Sequence, residues 1–171
     1  ASEFCTPGPL TIPDTLPAVP YPPTVAVAGL TGVVSKVTAV LRGLTHTGPL
    51  DIDVLLVSPT GQPSMLMSDV PGPVFTGVTL VLDDNAALPL GYFFNPPSGT
   101  YQPLDNFPGD SLPPPAPAAP YANAFSVFHG TNPNGTWNVY VADVNPLDSG
   151  SLDRFCLDIT TMTPVDDSNP S

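Results

Sequence analysis

The sequence predicts an all-β domain, a jelly-roll-like β-sandwich of about eight strands with one long proline-rich loop. Three observations predict it. Proline is 26 of 171 residues, about three times its ordinary share of roughly 5%. An interior proline costs a helix about 3 kcal/mol and a donor, so bundles, coiled coils and Rossmann-type folds are excluded. The chain is 42% hydrophobic, enough for a core and too much for a disordered chain. Short apolar runs, several alternating with period two, are separated by Gly, Pro, Asn and Asp turns, as in sandwiches.

Taken in order, residues 1–24 form a proline-rich arm, with Leu10–Ile12 as a short strand. Ala1-Ser2-Glu3-Phe4 is set aside as a cloning remnant. Residues 25–161 are the sandwich. Val25–Leu30 is strand-like and ends at Thr31-Gly32. From Val33 to Leu44 the chain alternates, with Val33, Val37, Ala39 and Leu41 facing in and Lys36, Thr38 and Arg42 facing out. Asp51–Val57 turns apolar on both faces, as a central strand does. Ser58-Pro59-Thr60-Gly61 is a turn, Ser64–Met67 its hairpin partner, and Val74–Leu82 the next strand. Residues 83–124 are an insertion, long for a structureless loop. It is expected to be ordered by its prolines and anchored by Tyr92, Phe93, Phe94, Tyr101, Phe107 and Tyr121. Strands resume at Phe125–Phe128, continue at Thr136–Asp143 with Trp137, Val139 and Val141 inward, and close at Ser151–Thr161. There Phe155, Leu157 and Ile159 share a face and Cys156 the other. Residues 162–171 are expected to be a flexible tail.

Three basic residues against fifteen acids give a formal charge of −12, so nucleic acid and anionic membranes are repelled. No apolar run is long enough for a transmembrane helix. Cys5 and Cys156 stand at opposite ends, with no Cys-x-x-Cys and no Cys/His cluster for zinc. Two free thiols would suit the cytosol. A disulfide from the arm to an outward Cys156, the arm crossing the outside of the sheet, is the favoured reading and implies an oxidising compartment.

Catalytic parts are scarce. His46 and His129 are the only histidines, and no Gly-x-Ser-x-Gly elbow accompanies them. Asp51 and Asp53, two apart on one strand, match a glycosidase pair in spacing but read better as strand caps. Asn134-Gly135-Thr136 fits a glycosylation sequon and, equally, a tight turn. The chain is therefore not expected to be an enzyme.

Two segments are more telling together. Gly43-Leu44-Thr45-His46, then Asp51-Ile52-Asp53-Val54, then Ser58-Pro59-Thr60-Gly61 resembles the P domain, or Homo B domain, of kexin- and furin-like proprotein convertases. Asn132-Pro133-Asn134-Gly135-Thr136-Trp137 through Asp143, followed by Asp148-Ser149-Gly150-Ser151-Leu152, is similar to that family's Pro-x-Gly-x-Trp strand and closing hairpin. Phe155 stands where the family usually has Trp, and the insertion resembles that of bacterial secreted members. The motif residues are His46, Ser58, Pro59, Gly61, Gly135, Trp137 and Gly150. The resemblance implies an extracellular or cell-surface, non-catalytic accessory module, expected as a monomer, that docks on or stabilises a partner domain such as a subtilisin-like protease domain. A carbohydrate-binding module, using aromatics of residues 92–121, is the alternative.

Fourteen Asp against three basic residues leave most carboxylates without a salt-bridge partner. Calcium is the cofactor this predicts, because hard oxygen ligands on irregular loops suit it better than zinc or magnesium. The candidate ligands are Asp51 and Asp53, Asp69, Asp83 and Asp84, and Asp143 with Asp148, of which no more than two groups are expected to bind.

Overall fold

The computed structural model describes residues 1–164. The strands are β1 (Ser2–Cys5), β2 (Leu10–Ile12), β3 (Thr24–Val27), β4 (Val33–His46), β5 (Ile52–Val57) and β6 (Pro63–Ser68). They continue as β7 (Phe75–Leu82), β8 (Gly99–Tyr101), β9 (Leu104–Asp105), β10 (Gly135–Asp143), β11 (Gly150–Leu152) and β12 (Arg154–Met162). The only helical pieces among the described residues are 3₁₀ turns at Pro49–Asp51 and Phe125–Phe128. No described helix is long and apolar enough to cross a membrane.

The strands form two sheets, a β-sandwich. In the seven-stranded sheet, β4 is the spine. Its Val33–Arg42 stretch pairs with β12 and its end with β11, while β7 runs along its other side. Strand β1 lies beyond β12, β2 beyond β11 and β8 beyond β7. The five-stranded sheet has the order β3-β10-β5-β6-β9. Between them lies one core that includes Val37, Leu41, Leu56, Phe75, Val139, Phe155 and Leu157, centred on the buried Trp137. The Trp137 ring meets Phe128 edge-on at 5.0 Å, and its indole N–H donates to the Pro133 carbonyl at 2.9 Å. That bond satisfies the one polar atom the ring brings into the core.

The alternating pattern predicts most of these strands, and it misleads where tertiary contacts win. In β4 the inward residue near the start is Val34 rather than Val33, because a bulge opposite Thr160/Thr161 shifts the phase by one. Phe125–Phe128 is a 3₁₀ turn and not a strand. Its Phe125 and Ser126 N–H groups are both taken by the Asp84 carboxylate, at 2.9 and 3.0 Å, rather than by a neighbouring strand. The closing strand is broken at Asp153, whose N–H donates to the Arg42 carbonyl, so it serves as β11 and β12.

Ser2, Glu3 and Phe4, set aside as part of a remnant, instead form an edge strand with Cys5. Cys5 faces Cys156 directly across the β1–β12 pair, and the two form a disulfide. The arm therefore lies beside β12 in the plane of the sheet rather than across its outside, and Cys156 is buried. The flexible tail expected from residue 162 falls mostly at 165–171, outside the described residues; Met162 itself ends β12.

The insertion is ordered by pairing. It lends β8 to one sheet, parallel to β7, and β9 to the other, parallel to β6. Its prolines then cover the outer face of the five-stranded sheet. Leu112, with Ala116 and Tyr121, packs there on Leu55, Val57, Met65 and Tyr140. Tyr21 from the arm joins them, edge-on to Tyr140 and donating its hydroxyl to the Pro113 carbonyl. Of the aromatics expected to anchor the insertion, Tyr101 and Tyr121 do so; Tyr92, Phe93, Phe94 and Phe107 are exposed.

Candidate functional site: a buried carboxylate cluster under the proline-rich loop

Strand β5 pairs with β6 so that Val54 faces Met67, which puts Asp53 beside Ser68. Ser68 in turn faces Asp105 on β9. A row across three strands thus carries Asp53, Ser68 and Asp105 on the face that the insertion covers. Asp69 follows Ser68 in a left-handed conformation, φ 55°, and its carboxylate accepts the Ser68 hydroxyl at 3.0 Å. The Asn106 side chain donates to the Asp69 carbonyl, tying that turn to the loop after β9. Asp110 adds a fourth acid from the exposed part of the loop.

Asp53 is the unusual member. It is 1% exposed, and neither carboxylate oxygen has a hydrogen-bond partner. Burial pushes its carboxyl up to about 7. Of the remaining influences, Ser68 opposes the shift, while the charges of Asp110, Asp69 and Asp105 add to it. Asp105 and Asp69 are likewise held above the ordinary carboxylate range, first by burial. One Asp105 oxygen is also buried and unpartnered. The four acids are not drawn into a tight cage. Among the described residues, the only three metal-ligating side chains with ligand atoms mutually within 4.8 Å are Glu3, Cys5 and Cys156. Their sulfurs are spent on the disulfide.

The other sequence candidates lie elsewhere. Asp51 is not on the strand face of Asp53. It sits in the 3₁₀ turn before β5, where its carboxylate accepts the Asn145 side-chain N–H at 2.9 Å. Burial raises it above the usual range, and neighbouring Asp148 and Asp143 reinforce this. Asp83 pairs with Lys36 at 3.2 Å, and Asp84 holds the Phe125 turn. Of the predicted ligands, then, only Asp53 and Asp69 come together here. Asp105 joins them through a parallel strand pairing that no local pattern announces.

The motif residues build the frame. His46, at the end of β4, and Asp143, at the end of β10, join the two sheets by a buried bond. The Gly48 N–H donates to His46 Nδ1 at 3.0 Å, so the ring proton sits on Nε2 and is donated to Asp143 Oδ2 at 3.0 Å. Asp143 Oδ1 accepts the Asn145 N–H. Ser58 closes its turn with Thr60 and Gln62, and Gly61 donates to its carbonyl. A side chain at Gly135 would meet Pro59, so the two motif segments touch. The Asn134 amide is engaged by both backbone groups of Leu30, which favours the turn reading of the sequon. A cleft of about 360 Å³ between the arm and the start of β3 is lined by five prolines with Thr6, Gly8 and Thr24 and offers no titratable side chain.

No protein-family model and no curated protein matches the chain. Solved structures that resemble it include the following two. One is a chain of the complex between the Aeromonas sobria serine protease and the chaperone ORF2, with 17% identity and a TM-score of 0.45. The other is the Aeromonas sobria serine protease, with 17% identity and a TM-score of 0.43. In each, 93% of this chain is aligned to 27% of the other, so the chain spans about a quarter of the length of the chains it matches.

Proposed function

We propose that this chain is a non-catalytic accessory module of a secreted or surface bacterial protein, one that stabilises or docks against a partner domain such as a subtilisin-like protease domain. The observation that carries the reading is the state of His46. It is the histidine of the motif, yet it is fully buried and both ring nitrogens are committed to structural bonds. A base so placed cannot reach a substrate proton. The other motif positions are likewise used for turns, core and sheet joining. The Cys5–Cys156 disulfide supports an oxidising, extracellular location.

The test compares the parent protein with and without residues 1–164. Loss of the module is expected to lower the melting temperature or the secreted yield of the remainder, and the module added in trans to bind it. Unchanged stability without binding would overturn the reading, as would turnover of casein or polysaccharide by the purified chain that a single Asp or Ser substitution abolishes. A carbohydrate-binding role is the second reading, supported by the exposed rings of Tyr92, Phe94 and Phe107 on the insertion. Binding on a glycan array that Tyr92→Ala and Phe94→Ala remove would favour it.

A further inference from the structure

We infer that the exposed rings of the proline-rich insertion form a docking surface for a partner protein whose apolar patch is ringed by lysine and arginine. The surface serves the docking role proposed above, on which this reading rests. Three loops meet where β6 leaves the sandwich and β7 begins: 69–74, 91–95 and 104–107. A side chain at Gly72 would meet the Phe94 carbonyl, and one at Gly91 would meet Leu104 and Pro71. The Asn106 backbone N–H donates to the Ser68 carbonyl, and its side chain donates to the Asp69 carbonyl. Held together in this way, the loops present Val74, Tyr92, Phe93, Phe94 and Phe107 to solvent. Phe94 is 73% and Phe107 69% exposed.

A contiguous apolar patch on a soluble chain marks an interaction site, and aromatic rings are enriched at the cores of protein interfaces. These rings are held ready. Phe93 stands edge-on to Tyr92 at 5.0 Å and to the buried Tyr101 at 6.4 Å. Pro71, Pro73, Pro96 and Pro108 stiffen the loops, so little freedom is left to lose on binding. Charge then chooses the partner. The loops and the stretch that follows them to Ser111 contain Asp69, Asp105 and Asp110 and no basic residue. All three basic residues of the chain stand on β4 and β12, where Lys36 is paired with Asp83 and Arg42 with Glu3. Lysine and arginine around a partner's apolar patch would complement this acidic rim. A second copy would set aspartates against aspartates, with a formal charge of −12 on each chain. A sugar needs polar side chains beside the rings to fix its orientation. The neighbours here are prolines and Val74, and the Asn106 amide is spent on a backbone carbonyl.

The experiment is calorimetric titration of the whole chain with the remainder of the parent protein, produced without this module, and with three short peptides. One peptide is of leucine and lysine, one of leucine and glutamate, one of lysine and serine. The remainder and the leucine–lysine peptide are expected to bind, and the other two peptides not. Phe94→Ser with Phe107→Ser should weaken both interactions at least about tenfold, with an unchanged melting temperature. Leu16→Ser with Leu147→Ser, exposed positions on the arm and the last hairpin, should change neither. Asp110→Asn should weaken binding at low salt and reduce its salt dependence. Full binding of the remainder by the ring variant would overturn the inference and leave the docking role standing on another surface. Ring-dependent binding of the leucine–lysine peptide without binding of the remainder would support the surface and sink the docking role in this parent. Binding of neither probe would overturn both. The inference would also fall if the leucine–glutamate peptide bound as tightly, if sedimentation showed a ring-dependent dimer, or if the rings bound a glycan array and no peptide.

Discussion

At the scale of single residues, the sharpest constraint is Gly150. A side chain there would fall 1.9 Å from the Thr45 carbonyl oxygen, inside the β4–β11 pairing, so backbone rather than a flexible side chain must yield. Gly150→Ala is expected to cost roughly 2–4 kcal/mol, read from urea unfolding; a change under about 0.5 kcal/mol would refute the packing argument. Asp53 makes a pH prediction for the chain kept in EDTA. Its folded pKa is pushed up to about 7, above the unfolded value near 4. Between those values the unfolded chain has released a proton that the folded chain keeps, so stability falls as pH rises from about 4 to 7 and then levels off. Asp69 and Asp105, also held above the ordinary carboxylate range by burial, steepen the fall. Asp53→Asn should flatten this slope and gain on the order of 2 kcal/mol at pH 8, after the cost of burying an amide. Equal slopes in variant and parent would sink the prediction.

Elements form where local pattern and tertiary contact agree. Asp84 accepts both leading N–H groups of the Phe125–Phe128 turn, so Asp84→Ala should cost about 1–2 kcal/mol. Circular dichroism should show the strands intact while the melting temperature drops. Most strands were legible because alternation and Gly/Pro turns survive in the sequence, as at Val37–Leu41 and Phe155–Ile159. Phe125–Phe128 was not, since four apolar residues fit a strand or a buried turn equally well. The strands β8 and β9 carry no period of their own and exist only by parallel pairing to β7 and β6. For the same reason only part of the acidic cluster was readable. Asp53 and Asp69 sit at strand and turn positions visible in the chain. Asp105 reaches them across a pairing of residues far apart in sequence.

For the molecule as a whole, two devices tie distant parts of the chain: the buried His46–Asp143 bond between the sheets and the disulfide that holds β1 to β12 within one sheet. The bridge spans 151 residues, which in the chain-entropy account contributes about 5 kcal/mol by restricting the unfolded chain. Cys5→Ser with Cys156→Ser should therefore lower the unfolding free energy by several kcal/mol while leaving the fold unchanged, as measured in urea with spectra before denaturation. A loss below about 1 kcal/mol would mean that β1 is held by its ladder alone. The position of the bridge also sets how the domain bears tension. Because β1 and β12 run antiparallel, with Ser2 opposite Ile159, a pull on the two ends would unzip them from one corner. The tear would pass Ser2–Ile159, Glu3–Asp158 and Phe4–Leu157 and then stop at a covalent bond. Everything between residues 5 and 156, core and acidic cluster included, is spared the load, so a stretched parent chain would lengthen by a few residues at this domain and no further.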